Sequence, residues 1–180
     1  MARSFKSFVT ISILAATVIA PVLLSAGGAS AQPQKGTKAN YVGVGVAAGV
    51  TSGGSALHDD DADTGLAIQG RVTTNKAPVS LRGAVISGDD TAAIVPMLTV
   101  DVPVANNVNV YAGGGASLIE SNGERTALGN RDSFAAVVGA EAQFGQNLVG
   151  FTDVKLGLNA YENSSAEAVS VNAGVGVTFR

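Results

Sequence analysis

Apolar residues alternate with small or polar ones along the last thirteen residues of the chain, 168–180. Val169, Val171, Val175, Val177 and Phe179 share one parity, and the positions between them carry Ser, Asn, Gly, Thr or Arg. Successive side chains of a β-strand point to opposite faces. The pattern therefore predicts a strand with one wholly apolar face.

Similar alternation recurs through the chain, and no helical periodicity lies between the alternating segments. Each segment has about 9–12 residues, the length a tilted strand needs to cross a bilayer. The pattern predicts an all-β fold, an eight-stranded antiparallel up-and-down transmembrane β-barrel. The predicted strands are Asn40–Val50, Thr64–Thr73, Ala77–Ser87, Ala92–Val104, Asn107–Ile119, Asp132–Phe144, Leu148–Ala160 and Ala168–Arg180.

Short and long connections alternate between these strands. Tight polar turns are predicted at 74–76, 105–106 and 145–147, whereas the other links are longer or more charged. Transmembrane barrels join their strands in this way, with short periplasmic turns and longer outer loops. The order places both chain ends on the periplasmic side.

The N-terminus has the features of a cleavable signal peptide. Arg3 and Lys6 precede a mainly apolar run over 8–24, and Ala29-Ser30-Ala31 offers a small-x-small cleavage site. Pro21 interrupts the run, which argues against the alternative of an uncleaved anchor. The predicted organisation is a signal peptide at 1–31, a flexible lead at 32–39 and the barrel at 40–180.

One strand face is rich in Val, Leu and Ile and carries no charge, so we assign it to lipid. Only 14% of the residues are charged, against about 25% in soluble domains. A soluble lipocalin-like carrier, with this face turned inward, is the alternative. The assigned residues are Val42, Val44, Leu66, Ile68, Val72, Val79, Leu81, Val85, Ile94, Leu98, Val100, Val108, Val110, Val138, Leu148, Val154, Leu156 and Leu158.

The opposite face carries charges of both signs together with many glycines. Eight strands enclose only enough space for side chains to fill, and buried charges need partners. We therefore expect an interior ion-pair network rather than an open pore, with Arg180 inside or at the barrel end. The predicted network is Arg71, Arg82, Asp101, Glu141, Asp153, Lys155 and Arg180.

Proline and the aromatic residues fit the barrel pattern less simply. Pro96 falls in the middle of the fourth strand, where it removes a ladder hydrogen bond, so we expect a bulge there. The aromatic girdle is sparse. We expect Tyr41, Phe144 and Phe179 near the periplasmic rim, and Phe134 and Tyr161 near the outer one.

Little in the sequence suggests catalysis or a cofactor. Cysteine is absent, and the one histidine, His58, lies in a polar loop beside several aspartates. Asp59, Asp61 and Asp63 have calcium-loop spacing but lack the required glycine at the sixth position, so only a weak divalent-cation site is considered. The net charge is −3 and no basic patch with aromatics is present, which disfavours nucleic acid.

The chain resembles the small eight-stranded outer-membrane barrels of the OmpA and OmpX type, within the broad group of porin-family outer-membrane β-barrel domains. The match covers 40–180 and is best at the final Val175, Val177 and Phe179, although Arg180 follows the aromatic residue. The resemblance implies recognition of this strand by the barrel assembly machinery. It also implies a monomeric, non-enzymatic outer-membrane component, structural or surface-interacting with an unknown external ligand, or else a narrow solute channel.

Overall fold

The computed structural model describes residues 36–51, 63–74, 77–88, 90–121 and 123–179. These residues form a closed barrel of eight strands in sequence order, as predicted. The strands are β1 (Asn40–Gly49), β2 (Thr64–Thr73), β3 (Val79–Ser87), β4 (Ala92–Ala105), β5 (Val108–Ile119), β6 (Ser133–Phe144), β7 (Leu148–Leu158) and β8 (Ala168–Phe179). Every predicted strand boundary lies within two residues of the observed one.

Each strand pairs with its sequence neighbours in antiparallel orientation. β1 also pairs with β8, from Asn40 opposite Phe179 to Gly49 opposite Ser170, and this pairing closes the ring. Because the barrel is closed, neither terminal strand presents an unpaired edge. The described residues contain no helix with the length and hydropathy needed to cross a bilayer. The predicted signal peptide, residues 1–31, lies outside the described residues.

The barrel has two distinct ends. The turn end carries Gly36 and Phe179, where the described chain begins and ends, and three short connections, at 74–78, 106–107 and 145–147. The loop end carries the other four connections, at 50–63, 88–91, 120–132 and 159–167, and all of these except 88–91 are longer. Asn107 and Gly145 adopt positive φ angles of 60° and 61° in two of the tight turns. Asn and Gly tolerate this left-handed conformation better than other residues do.

The expected bulge at Pro96 is wrong. The pairing of β4 with β5 keeps one register on both sides of Pro96, and Pro96 lies directly opposite Gly83 on β3. Val95 and Pro96 have partners on β3 but none on β5. Proline has no backbone N–H to donate to a neighbouring strand. The register shifts instead between Pro103 and Ala105, next to the turn end.

Glycines line the inner face of the seam between β1 and β8. Gly43 lies opposite Gly176, and Gly45 lies opposite Gly174. A Cβ on Gly174 would come within 2.5 Å of the Phe151 ring and within 2.5 Å of a backbone oxygen. The seam therefore has glycines in place of inward side chains, and the Phe151 ring lies against it.

The apolar strand face points outward, as predicted. Leu66 and Val44 expose 72% and 62% of their surface, and most other members of this face are similarly exposed. The prediction that Val108 faces lipid is wrong, because Val108 is fully buried. It begins β5 beside the register shift and pairs with both Ala105 and Ala142, so it does not continue the exposed pattern of the strand.

The barrel interior at the loop end is filled by apolar side chains. Ile86, Val95, Ile119 and Leu128 belong to one buried cluster with several alanines and Met97. Leu128 enters from the connection between β5 and β6, where a tight turn joins Thr126 to Gly129. Polar residues occupy the remainder of the interior, toward the turn end.

Candidate functional site: the polar barrel interior

Four charged side chains form a closed ring of ion pairs inside the barrel. We call this set, Arg71 on β2, Arg82 on β3, Asp101 on β4 and Glu141 on β6, the ion ring. Arg71 contacts Asp101 Oδ2 and Glu141 Oε1, each at 2.8 Å. Arg82 contacts Asp101 Oδ1 at 2.8 Å and Glu141 Oε2 at 2.9 Å. Each charge therefore has two partners of opposite sign.

Strand register explains why the two acids are needed. Arg71 and Arg82 are direct cross-strand neighbours, and like charges in that position repel each other. Asp101 and Glu141 reach both arginines, and all four side chains are at most 6% exposed. Removal of either carboxylate would leave two buried guanidinium groups insufficiently compensated, which is costly in a dry interior.

Neutral side chains on the same inner face complete the hydrogen bonding of the ring. Ser80 accepts a hydrogen bond from Arg71 Nε at 3.0 Å and donates one to Asp101 Oδ2. Thr99 accepts from Arg82 Nε at 3.0 Å. Asn109 donates its amide N–H to Glu141 Oε1 at 3.0 Å. These bonds fix the orientation of the planar guanidinium and carboxylate groups.

A second polar group, which we call the lysine cluster, surrounds Lys155 and Asp153 on β7. Lys155 Nζ lies 2.5 Å from Asp153 Oδ1 and donates to Gln69 Oε1 at 3.1 Å. Asp153 also accepts from Asn172 Nδ2 at 3.0 Å and from the Tyr111 hydroxyl at 2.9 Å. All five residues are buried, and the one cation is balanced by one anion.

Tyr41 links the ion ring to the lysine cluster. It lies in the barrel interior, so its expected place in the aromatic girdle is wrong. Its hydroxyl accepts hydrogen bonds from Arg82 Nη1 at 3.1 Å and from Gln69 Nε2 at 3.5 Å. Its ring stacks on Phe151 with a centroid distance of 5.8 Å. Tyr41 has the same parity as Gly43 and Gly45, so it belongs to the inner face of β1. Tyr161 is also buried, whereas Phe134 is 76% exposed.

Residues 36–39 form an ordered segment, which we call the strap, across the interior at the turn end. Thr37 donates its backbone N–H to Asn109 Oδ1 at 3.1 Å and its hydroxyl to Gln143 Oε1 at 2.7 Å. Arg71 Nη1 donates to the carbonyls of Thr37 and Ala39 at 3.3 and 3.1 Å. Residues 36–39 are thus hydrogen-bonded to the barrel wall, while 32–35 lie outside the described residues, and the flexible lead over 32–39 stays a prediction.

The interior charges balance within the part of the chain that the structure describes. Six of the seven residues of the predicted network lie in the ion ring or the lysine cluster, three of them cationic and three anionic. The seventh, Arg180, lies outside the described residues. Each of the six is engaged by an opposite charge, so the arrangement provides structural cohesion and presents no unpaired acid or base.

Several other predicted site residues lie at or beyond the limits of the described chain. His58, Asp59 and Asp61 lie outside the described residues. Asp63 Oδ2 lies 3.8 Å from Arg125 Nε. Within the described ranges, no group of three or more potential metal-ligating side chains occurs. Val175, Val177 and Phe179 on β8 point outward, with about half of their surface exposed.

Sequence reasoning did not single out several neutral members of the site. Ser80 and Thr99 share the inward parity of Arg82 and Asp101 on β3 and β4, and Tyr111 and Asn172 share that of Asn109 and Gly174 on β5 and β8. Parity could therefore have identified them as interior. No sequence signal indicated that Thr37, which precedes the first strand, folds against the ion ring.

Comparison with known proteins identifies a structural neighbour. No protein-family model and no curated protein sequence matches the chain. The crystal structure of Neisserial surface protein A (NspA) is similar over 78% of this chain and 97% of that chain, with a TM-score of 0.54. Sequence identity is 15%, so the likeness shows a shared eight-stranded barrel fold and nothing finer.

Proposed function

We propose that this protein is a non-enzymatic, non-conducting barrel of a bacterial outer membrane, with a structural or surface-interaction role. The observation that carries the proposal is the inverted polarity of the barrel. Exposed Val, Leu and Ile side chains cover the outside, whereas six charged residues are paired inside. An apolar outer surface and a closed ring of strands meet the requirements of a hydrocarbon environment.

The same polarity disfavours the lipocalin-like carrier. A soluble carrier would place its apolar face around a ligand and its charges in water. Here Leu66 and Leu98 are exposed, while Glu141 and Lys155 have no exposed surface. The likeness to a protein named as a surface protein agrees with a surface role, with the loop end facing outward and the turn end facing the periplasm. Lipid and the barrel assembly machinery are then the expected partners.

Lysine substitution on the outer face tests the membrane assignment. Val44 lies in the middle of β1 and is 62% exposed. Val44→Lys should destabilise the barrel in lipid vesicles by about 2–4 kcal/mol if the position contacts hydrocarbon. Ser121→Lys, in an exposed loop, is the matched control and should change stability little. Equal stability of the two variants, or a monodisperse folded wild type in detergent-free buffer, would contradict the proposal.

Conductance separates a structural barrel from a narrow channel. The ion ring and the apolar cluster at the loop end fill successive parts of the interior of the described barrel. Reconstituted protein in planar bilayers should therefore give no discrete current steps at any voltage. Reproducible single-channel steps would favour the channel instead.

A further inference from the structure

The strap crosses the interior from one wall to the opposite one. Residue 39 leads into β1, whereas Gly36 forms a parallel bridge with Asn106 and donates its N–H to Ala105 O at 2.9 Å. Ala105 ends β4 and Asn106 lies in the turn that leads to β5, and β5 faces β1 across an eight-stranded ring. A segment of four residues reaches at most about 13 Å.

Polar contacts position the strap. Asn109 binds Thr37 twice, accepting from its N–H at 3.1 Å and donating to its carbonyl at 2.7 Å. Gln143 accepts from the Thr37 hydroxyl, and Arg71 donates to two strap carbonyls. Ala39 is the strap residue that packs on the cluster of Tyr41, Val149 and Phe151. The strap lies outside the strand ladders, so it is able to open without breaking the sheet.

A cavity of about 300 Å³ lies where the strap meets the barrel wall. Its lining includes Thr37 and Lys38 from the strap and Arg71, Asp101 and Asn109 from the wall. The cavity therefore reaches the ion ring directly. At the loop end, Leu128 and its apolar neighbours close the interior. The cavity beside the strap is therefore a route by which water or a small polar solute reaches the ion ring.

We propose that residues 36–39 form a displaceable lid, which undocks from Asn109, Gln143 and Arg71 as a unit and widens the cavity, so that the ion ring is exposed to water and small polar solutes. With the lid docked, the side chains of the ion ring are at most 6% exposed. The undocked lid leaves the sheet and its register intact, because none of its bonds belongs to a strand ladder. The turn end of the barrel thus has an adjustable entrance.

Gly36→Ala is the variant that should release the lid. Gly36 has a φ of +76°, and an added Cβ would lie 2.2 Å from Asn109 Oδ1 and 2.7 Å from Pro103 Cβ. The substitution lies outside the strands, so we expect the barrel to fold. Gly83→Ala is the matched control, since an added Cβ there would meet nothing within 4 Å and Gly83 does not line the cavity. Thr37→Pro is a second release variant, because it removes the N–H that binds Asn109.

Amide hydrogen exchange measures docking. The Gly36 and Thr37 amides should be protected in the wild type and in Gly83→Ala. The Thr37 amide should exchange at least tenfold faster in Gly36→Ala, and the Gly36 amide at least tenfold faster in Thr37→Pro. Exchange of β1 amides such as that of Val44 should not change. Unprotected strap amides in the wild type, or equal exchange in Gly36→Ala, would overturn the proposal. The measurement works in any medium that keeps the barrel folded, so it does not depend on the membrane assignment.

Thiol modification measures entry into the interior. The chain has no cysteine, so Ser80→Cys provides a single thiol on the inner wall beside Asp101. A small charged methanethiosulfonate should label it at least tenfold faster with Gly36→Ala than alone or with Gly83→Ala. Thr99→Cys, on the same inner face, replaces it if the first variant does not fold. Equal labelling rates in all backgrounds would overturn the lid.

Discussion

The guanidinium carbon of Arg82 lies 3.5 Å from the centre of the Tyr111 ring, and this contact joins the two charged groups of the barrel interior. Arg82 belongs to the ion ring, and the Tyr111 hydroxyl donates to Asp153 of the lysine cluster at 2.9 Å. A cation over an aromatic face is attracted by the ring quadrupole, more strongly where water is excluded. The two groups therefore act as one connected network.

Substitutions at Tyr111 should separate the contribution of the hydroxyl from that of the ring. Tyr111→Phe keeps the contact with Arg82 and loses the bond to Asp153, at a cost of about 1.5–3 kcal/mol for a bond to a charged group. Tyr111→Leu loses both and should be less stable than Tyr111→Phe. Urea unfolding of the folded barrel measures each difference. Equal midpoints for the two variants would show that the ring contact contributes nothing.

Glu141→Ala should be strongly destabilising, because it removes a partner from Arg71, Arg82 and Asn109 at once. The expected loss is about 3–5 kcal/mol, typical of a broken buried pair. Glu124→Ala, in an exposed connection, is the control and should change stability by less than about 0.5 kcal/mol. An unfolding midpoint equal to that of the wild type would rule out a structural role for the ion ring.

Two glycines provide a matched test of how closely the strands approach. A Cβ on Gly115 would lie 1.8 Å from the Pro96 carbonyl oxygen, whereas one on Gly83 would meet nothing within 4 Å. Gly115→Ala should therefore cost about 1–3 kcal/mol through overpacking. Gly83→Ala should be neutral or slightly stabilising, since alanine restricts the unfolded chain more than glycine does. The opposite order of unfolding midpoints would contradict the register of β4 and β5.

Phe179→Ala should reduce assembly of the barrel in cells. Phe179 ends the last strand and points outward, in the position where the resemblance to outer-membrane barrels places the assembly signal. Phe134→Ala is the control, because Phe134 is also outward but lies on β6. The fraction of heat-modifiable, folded protein should fall in the first variant only. Equal folded fractions would remove the signal role of Phe179.

Alternation was sufficient to predict the strands, their order and the outward apolar face, because a period of two needs no knowledge of partners. It also placed Arg71 and Glu141 on the inner face. It could not tell which acid meets which base, since that depends on side chains from strands distant in sequence. The resemblance to the OmpA and OmpX type implied an eight-stranded barrel, and the likeness to NspA also concerns the fold alone.

The errors in the predictions from sequence have physical causes. Tyr41 was assigned from its chemical type, although its parity with Gly43 placed it inside. Pro96 needs no bulge, because the residue lacks a donor on one side only and the pairing with β3 continues through it. The apolar inner cluster at the loop end includes Leu128 from a connection, and periodicity carries no information about how a connection folds back.

The glycine seam between β1 and β8 has a consequence for biogenesis. It joins the first strand to the last, so the longest loop closure in the molecule must precede its final ladder of hydrogen bonds. With Gly43 and Gly45 facing Gly176 and Gly174, the inner side of that ladder offers little side-chain attraction to speed the encounter. A chain in which β8 has not yet paired therefore presents an open, unpaired strand edge, which is prone to aggregation until the barrel closes.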